Sequence, residues 1–343
     1  MLKVVTIFAA FILTACEKPA EEYQHSSLHF GTIIDITLFD VSAEQADAAF
    51  QQLDKDFTLM HAAWSPWVAG SMMRTNNLLQ TGATFSAGPS ILDLITQATP
   101  LAEQSEQLFN PAIGKLINLW QMHKSDDPNI KPPDKNAIAQ LVKNNPSLND
   151  IRVSGVRLQT DNKTVSLNFG AFAKGYAIDL EMNMLKKRGI KNAIINTGGD
   201  LKAIGAHGDR PWIIAVQHPR KNTWLAKIET RGEESIFTSG DYERYFLYEG
   251  KRYHHILDPR TGYPAEGVQS VTVLHTNSAL ADAAATALFV AGPKKWQSIA
   301  KKLDIKHVML IDSRGIIHIT PAMKKRLHFN SQIETTILTT APL

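Results

Sequence analysis

The sequence predicts an α+β protein in which antiparallel β-sheets are flanked by helices. Two observations predict it: most β-prone runs are joined by short turns, and the helical patterns fall in separate blocks instead of alternating with single strands. With 343 residues, 44% of them hydrophobic, the chain can bury a large core and fits one large domain or two closely joined ones. The net charge of +3 is slight and the Lys and Arg residues are scattered, which argues against the basic surface of a nucleic-acid-binding protein.

The N-terminus has the pattern of a targeting segment. An apolar run over residues 4–13 is too short to span a bilayer as a stable helix and favours a cleaved signal peptide. Cys16, the single cysteine, lies where a bacterial lipobox of the L-x-A-C type places the lipidated residue. The alternative is a signal peptide cut elsewhere and an incidental cysteine. We expect a lipid-anchored protein on the periplasmic side of a bacterial membrane, with a signal peptide at residues 1–16, a tether at 17–27 and a folded domain at 28–343.

The first half of the folded domain is predicted to be mainly helical. A β-prone run at residues 28–39 precedes a helix at 42–60, whose apolar residues recur three and four positions apart. Residues 64–88 have a loop-like composition. The remaining elements predicted here are helices at 89–106, 111–122 and 134–143, which form a candidate helical subdomain, a hairpin that pairs 156–159 with 165–169, and a helix at 171–188.

The second half is predicted to be mainly strands. Short β-prone runs recur between Gly- and Pro-containing turns, and an Ala-rich helix follows them. The predicted strands are 193–196, 201–203, 212–217, 224–229, 245–248, 252–257 and 268–275, followed by helices at 278–291 and 294–303 and a closing hairpin around 313–315.

One segment carries more chemistry than a hairpin requires. Residues 238–264 read TSGDYERYFLYEGKRYHHILDPRTGYP, with polar motifs before and after two β-prone runs. The segment resembles the TSGDYERYF and H-I-I-D-P-R-T-G-x-P signatures of the ApbE family, the FAD:protein FMN transferases. The resemblance implies an ApbE-like fold with a T-fold-related core. It also implies that His255 is the catalytic base, in preference to His254, and that Ile256 contacts FAD.

A second motif places a cation at the start of a helix. Residues 168–179 read NFGAFAKGYAID, so a glycine turn precedes a helix whose first turn carries Lys174. Free N–H groups and an ammonium at a helix N-terminus suit a phosphate, although a solvated lysine on an amphipathic helix has the same pattern. The segment resembles the family pattern D-x-G-A-x-A-K-G-Y-A-x-D. This implies that Lys174 contacts FAD and that the Ala171 carbonyl is a metal ligand. Asn168 replaces the usual aspartate and can still hydrogen-bond the flavin or adenine portion.

Two oxygen-bearing side chains share one helix face. Asp282 and Thr286 are four residues apart on the Ala-rich helix, and hard oxygen ligands suit Mg²⁺. The alternative is an N-capping aspartate beside an exposed threonine, but Asn277 and Ser278 are better placed as caps. The resemblance assigns Asp282, Thr286 and the Ala171 carbonyl as the Mg²⁺ ligands.

Further FAD contacts are implied by shorter matches to the family. Leu108, Phe109 and Asn110 lie in QLFNP, which is similar to the family's G-A-F-D-P element. Phe30 lies in F-G-T, similar to M-G-T, and Trp64 matches an aromatic loop for which Trp67 competes. These aromatic residues fit a core equally well. The turn at residues 196–201, NTGGDL, matches an element that lines the flavin site, although such turns are also common hairpin connectors.

The resemblance implies that a threonine hydroxyl of an acceptor protein attacks the diphosphate of FAD, which releases AMP and leaves FMN attached through a phosphoester. Such transfer depends on positioning and charge neutralisation, to which Mg²⁺, Lys174 and Arg260 would contribute. A histidine with a pKa near neutrality suits the base. The implied acceptors are flavoprotein subunits of Nqr/Rnf-type electron-transport complexes. The alternatives are an Mg²⁺-dependent FAD diphosphatase and a periplasmic flavin-binding lipoprotein.

Overall fold

The structure is a computed structural model that describes residues 21–122, 127 and 129–343. The predicted signal peptide and Cys16 lie outside the described residues. In its first half the chain forms β1 (Glu22–His29), β2 (Thr32–Phe39), α1 (Ala43–Trp64), α2 (Ser71–Leu79), β3 (Phe85–Ser86), α3 (Pro89–Gln104), α4 (Gly114–Trp120), α5 (Lys135–Lys143), β4 (Arg152–Ser154), β5 (Arg157–Gln159) and α6 (Ala173–Lys187).

The second half contains most of the strands. It forms β6 (Asn192–Thr197), β7 (Asp200–Ile204), β8 (Ile213–Gln217), β9 (Trp224–Glu229), β10 (Glu234–Gly240), β11 (Tyr245–Tyr248), β12 (Lys251–His254), β13 (Val268–His275), α7 (Ser278–Lys302), β14 (His307–Asp312), β15 (Ile317–Ile319), α8 (Pro321–Lys324), β16 (Leu327–Phe329) and β17 (Ile337–Thr339). No helix in the described part of the chain is long and apolar enough to cross a membrane.

A nine-stranded sheet in the order β1-β2-β6-β7-β10-β13-β14-β15-β17 organises the molecule. Its pairs are antiparallel except for β15 with β17. The strands β7, β10 and β13 lie near its centre and are almost wholly buried, because helices cover one face and the small sheet β16-β9-β8 covers the other. The predicted α+β class with antiparallel sheets flanked by helices is confirmed.

The main core lies between the large sheet and α1, α3, α6 and α7. A separate, smaller core lies around Trp120, where α4 and α5 pack against the hairpin β11–β12, and the Trp120 indole donates to the Gly262 carbonyl at 2.7 Å. The predicted helical block at residues 89–145 is therefore divided between two cores, because α3 joins the main one.

The N-terminal boundary differs from the prediction. The β-prone run at 28–39 is a hairpin that turns at Phe30 and Gly31, both at positive φ (53° and 73°). Its first strand begins at Glu22, so the tether predicted for 17–27 is wrong from that residue on. The polar residues of β1 alternate between exposed and half-buried positions at a sheet edge, which resembles a linker in composition.

Two other expectations for the first half are wrong. The supposed loop at 64–88 contains α2. The apolar run at 165–169 is not a strand, because amide side chains of α2 take up its backbone groups: Asn76 bonds both the N–H and the carbonyl of Leu167, at 2.6 and 2.9 Å, and Gln80 donates to Val165 at 2.9 Å. The hairpin in this region pairs β4 with β5 instead.

In the second half, the strand β10 was not predicted, whereas the break within the long C-terminal helix was. Gly292 has non-helical dihedrals (φ 72°, ψ 174°) and is followed by Pro293, which divides α7 at the point where two separate helices were expected. The first of these two segments packs over β10 and β13, in the middle of the large sheet. This position brings its N-terminal turns to the cleft described next.

Candidate active site

A cleft opens where the two cores meet. One wall is built by the start of α6, the N-terminal half of α7 and the ends of β7 and β10, and the other by α4 and the segment after β12. Ten of the predicted site residues line the cleft: Leu108, Phe109, Asn110, Asn168, Ala171, Lys174, His255, Ile256, Asp282 and Thr286.

The contact between α6 and α7 positions one wall. A Cβ on Gly175 would lie 2.3 Å from the Ser278 carbonyl oxygen, so the two helices approach this closely only because residue 175 is glycine. From the next turn of α6, Asp179 accepts hydrogen bonds from the N–H groups of Ser278 and Ala279 at 2.8 and 3.0 Å. The carboxylate therefore caps α7 from another helix and fixes its rotation. Neither the close approach at Gly175 nor the capping of α7 by Asp179 was predicted from the sequence.

This joint places Asp282 against the first turn of α6. Its Oδ2 accepts the Gly175 N–H at 3.0 Å, and only 5% of the residue is exposed. Burial raises the pKa of Asp282 and Asp200 adds to the rise, while Lys174 and the Gly175 N–H oppose it. A cation bound at this carboxylate would restore its charged form.

The oxygen atoms around Asp282 fit a magnesium ion. In a regular helix the Gly175 N–H would bond the Ala171 carbonyl, but here it bonds Asp282, and no backbone donor to that carbonyl occurs in the described chain. Thr286 lies one turn after Asp282, and its hydroxyl is 3.1 Å from Ser239 Oγ. Carboxylate, hydroxyl and carbonyl oxygens are hard ligands that leave positions for water and phosphate. Across the described residues, no three His, Cys, Asp or Glu side chains converge as a metal cluster, so this set depends on one carboxylate.

Lys174 projects into the cleft but already has a partner. Its ammonium pairs with Asp200, which follows the two glycines of the NTGGDL turn. Burial lowers the pKa of Lys174, yet Asp200 and Asp282 outweigh it and the net shift is upward, so the ammonium remains charged. Asp200 also accepts the Thr238 N–H at 2.9 Å. The turn thus contributes a carboxylate to the cleft wall that holds Lys174 in place.

The two adjacent histidines have different environments. His254 is buried; its Nε2 donates to the Ala265 carbonyl at 2.8 Å and its Nδ1 accepts the Ile256 N–H at 3.3 Å, so both ring nitrogens are used. His255 lines the cleft, and its Nδ1 lies 3.3 Å from the Arg244 carbonyl. Because a carbonyl can only accept, this contact assigns the proton to Nδ1 and leaves Nε2 as an acceptor.

The pKa of His255 departs from the expected value near neutrality. Burial, followed by the charges of Arg244, His254 and Lys174, lowers the pKa of His255 to about 3. The imidazole is therefore unprotonated at neutral pH, which is the form that a general base requires. The cationic surroundings that make it a weaker base also keep it in this form.

Three residues predicted to contact the flavin make side-chain contacts within the folded chain. Phe30 and Trp64 do not line the cleft: Trp64 is 5% exposed in the main core and stacks on Phe30 with 6.3 Å between centroids. The competing Trp67 does line it. Asn110 reaches the cleft wall, but its amide is occupied, since Nδ2 donates to the Pro146 carbonyl and Oδ1 accepts the Ala112 N–H. Asn110 therefore lines the cleft as predicted, whereas Phe30 and Trp64 lie outside its lining.

Asn168, where the family has aspartate, has one unused donor. Its Oδ1 accepts the Gly170 N–H at 2.9 Å, whereas its buried Nδ2 has no hydrogen-bond partner among the described residues. An orphaned buried donor costs about 1–3 kcal/mol. A ligand acceptor at this point of the cleft wall would remove that cost.

Two cleft residues were missed in the sequence, although both stand in the TSGDYERYF motif. Glu243 lies near Lys174 and Arg244, and burial raises the pKa of its carboxyl. Arg244 supplies the carbonyl that holds His255. Arg260, expected to steady the diphosphate, is instead held by Asp258 through two hydrogen bonds of 2.9 and 2.7 Å and does not line the cleft.

Comparison with known proteins identifies relatives of the chain. Residues 30–309 match the model of the ApbE family. A protein of Rhodobacter capsulatus named FAD:protein FMN transferase is 38% identical over 316 residues; the match covers 92% of this chain and 60% of that protein. Another so named, from Klebsiella pneumoniae, is 31% identical over 315 residues, with 90% and 94% covered.

Solved structures give the same result. The ApbE protein of Thermotoga maritima superposes with a TM-score of 0.81 at 28% identity, covering 89% of this chain and 99% of that one. The flavin transferase ApbE of Vibrio cholerae superposes with a TM-score of 0.77 at 25% identity, covering 90% and 100%.

Proposed function

The chain belongs to the ApbE family, and we propose that it is an enzyme that transfers the FMN moiety of FAD to a threonine hydroxyl of an acceptor protein, with release of AMP. The observation that carries the proposal is a single cleft in which an unprotonated histidine faces a lysine and a set of hard oxygen donors. A flavin reservoir would not need a base and a metal-binding set at one point.

In the proposed reaction the threonine oxygen attacks the phosphorus on the FMN side of the diphosphate. A new P–O bond to threonine forms, the P–O bond to AMP breaks, and AMP leaves with the electron pair. The hydroxyl proton passes to Nε2 of His255, which is unprotonated because Nδ1 is directed at Arg244. Nδ1 keeps its proton throughout, so the Arg244 carbonyl fixes both the tautomer and the ring orientation.

Mg²⁺ is part of the proposal, with Asp282, Thr286 and the Ala171 carbonyl as its ligands. When bound, it would neutralise charge on the phosphate oxygens. Lys174, held by Asp200, orients the site from the other side. Aromatic and apolar residues of the cleft wall, among them Phe109 and Ile256, would pack against the flavin.

Flavoprotein subunits of Nqr/Rnf-type electron-transport complexes are the proposed acceptors. The lipobox at Cys16 supports a lipid anchor on the periplasmic side of the membrane. Cys16→Ser should abolish lipid labelling and release the protein from membranes; retention of both would contradict the anchor.

In the direct test, the protein is incubated with FAD, Mg²⁺ and a threonine-bearing acceptor peptide, and the mass of the peptide is then measured. A mass increase of one FMN group, equal in amount to the AMP released, is expected, and a peptide with valine in place of threonine is the matched control. AMP release without a change in peptide mass would identify a diphosphatase. Flavin binding with neither product would identify a reservoir.

A further inference from the structure

Arg244 is an exposed arginine on the cleft wall whose charge is not neutralised. Its guanidinium makes no ion pair or hydrogen bond among the residues that the structure describes, and only its carbonyl is engaged, by His255. The side chain lies close enough to lower the pKa of both His255 and Glu243, which line the same cleft. A guanidinium of this kind is available to an anionic ligand.

The other cations near the cleft are already paired. Lys174 is held by Asp200. Arg260 is bound by Asp258 and by the Val290 carbonyl, outside the cleft. Arg220 forms a bidentate ion pair with Asp241, with N···O distances of 2.7 and 2.6 Å. Each of these groups would have to give up a carboxylate before it could take up a phosphate.

Arg244 is one of only two cationic side chains that line the cleft among the described residues. In the described chain, the carboxylates of Asp200, Asp282 and Glu243 face the cations of Lys174 and Arg244 along the wall. A diphosphate adds two phosphate groups to a wall whose carboxylates already outnumber its cations. A magnesium ion at Asp282 would neutralise part of this negative charge. The unpaired guanidinium of Arg244 would neutralise more of it, and its planar N–H groups can bond two phosphate oxygens at once.

The backbone of the same residue determines where that charge lies. The Arg244 carbonyl accepts the His255 N–H at 3.0 Å and lies 3.3 Å from the ring Nδ1. The guanidinium therefore belongs to the same residue whose carbonyl orients the base. A phosphate bound to it would be held at the same cleft wall that His255 lines.

We propose that Arg244 binds the diphosphate of FAD and holds it against His255, as a further substrate-binding residue of this site. This inference rests on the proposed function. It replaces Arg260 in the role that the sequence suggested for that residue. It also separates two tasks within one residue, because the carbonyl orients the base and the side chain binds the substrate.

The test compares Arg244→Met and Arg244→Lys with the wild type by calorimetric titration of FAD, ADP and riboflavin in the presence of Mg²⁺. Charged hydrogen bonds are worth about 1.5–3 kcal/mol, so Arg244→Met should bind FAD and ADP about 10- to 100-fold more weakly. Riboflavin, which has no phosphate, should bind equally to all forms. Arg244→Lys should recover part of the loss, since it restores the charge without the fork.

Arg157→Met is the matched control, because Arg157 is an exposed arginine of β5 outside the cleft. Unchanged FAD affinity in Arg244→Met would overturn the proposal, as would an equal loss for riboflavin, a loss in Arg260→Met alone, or a rise only in the KM for the acceptor. If Arg244→Met fails to fold, the salt dependence of FAD affinity in wild type and Arg244→Lys decides the matter. These titrations need no acceptor, so the transfer reaction can fail without affecting their result.

Discussion

Gly175→Ala should disable the site through the joint between α6 and α7. The added Cβ would lie 2.3, 2.7 and 2.9 Å from three backbone atoms of Ser278 and Ala279, which cannot rotate away as a side chain would. Ordinary contact requires α7 to retreat by about 1 Å. The hydrogen bond from the residue 175 N–H to Asp282, now 3.0 Å, would then be broken and the carboxylate displaced from the Ala171 carbonyl.

The cost follows from three effects. Overpacking costs about 1–3 kcal/mol, and loss of a hydrogen bond to a charged group costs about 1.5–3 kcal/mol. Replacing glycine by alanine inside a helix returns about 1 kcal/mol. We expect a decrease of about 1.5–5 kcal/mol in the free energy of unfolding. We also expect a loss of Mg²⁺ affinity, because Asp282 is displaced.

Urea unfolding with and without Mg²⁺ measures both quantities. Gly88→Ala is the matched control, since the nearest atom to its added Cβ is a serine hydroxyl at 3.8 Å and its φ is negative; it should cost less than about 1 kcal/mol. If Gly175→Ala keeps the wild-type gain in stability from Mg²⁺ together with wild-type transfer, the close approach of the helices does not position the metal ligands.

Three further predictions concern single residues. Asp282→Ala should abolish transfer chiefly through loss of Mg²⁺ binding, and full activity in the presence of a chelator would contradict its role as a ligand. His255→Ala should lower the transfer rate by a factor of roughly 10² to 10⁴ with little loss of FAD affinity. The loss should be partly rescued at high pH and should exceed that of His254→Ala. In the wild type, the acidic limb of the pH–rate profile should lie well below pH 6.5, because the pKa of His255 is lowered. Glu181→Gln should stabilise the protein at high pH. Burial, with Asp56, raises the pKa of Glu181 from 4.5 to about 8, so wild-type stability falls as the pH rises between these values. The difference in the free energy of unfolding between Glu181→Gln and the wild type should be near zero at pH 4 and on the order of 2 kcal/mol at pH 8.

Helices with strong local signals were predictable. The helix at 42–60 has a capping box between Ser42 and Gln45, and its apolar face is buried, so pattern and structure agree. The break in α7 follows from Gly292 and Pro293, which act on the backbone locally. In both cases the physical cause lies within a few residues of its effect.

Elements that depend on distant partners were not predictable. The strand β1 is polar and half-exposed because it lies at the sheet edge, where β2 is its only neighbour among the described strands. The run at 165–169 looks like a strand in composition, yet Asn76 and Gln80, which lie 91 and 85 residues before their partners, satisfy its backbone groups. Periodicity describes which face of a segment is buried, but it does not identify the partner that will bond its backbone.

The same limit explains which parts of the site could be found. Motifs led to His255, Lys174 and Asp282 because their chemistry is visible in the residue type. They gave no account of pairing: Asp200 holds Lys174 and Asp258 holds Arg260, and neither ion pair was predicted. Pairing depends on distances between segments that are far apart in the chain. The positive charge that a diphosphate meets is therefore set by the cation that lacks a carboxylate partner, and in this cleft that cation is Arg244.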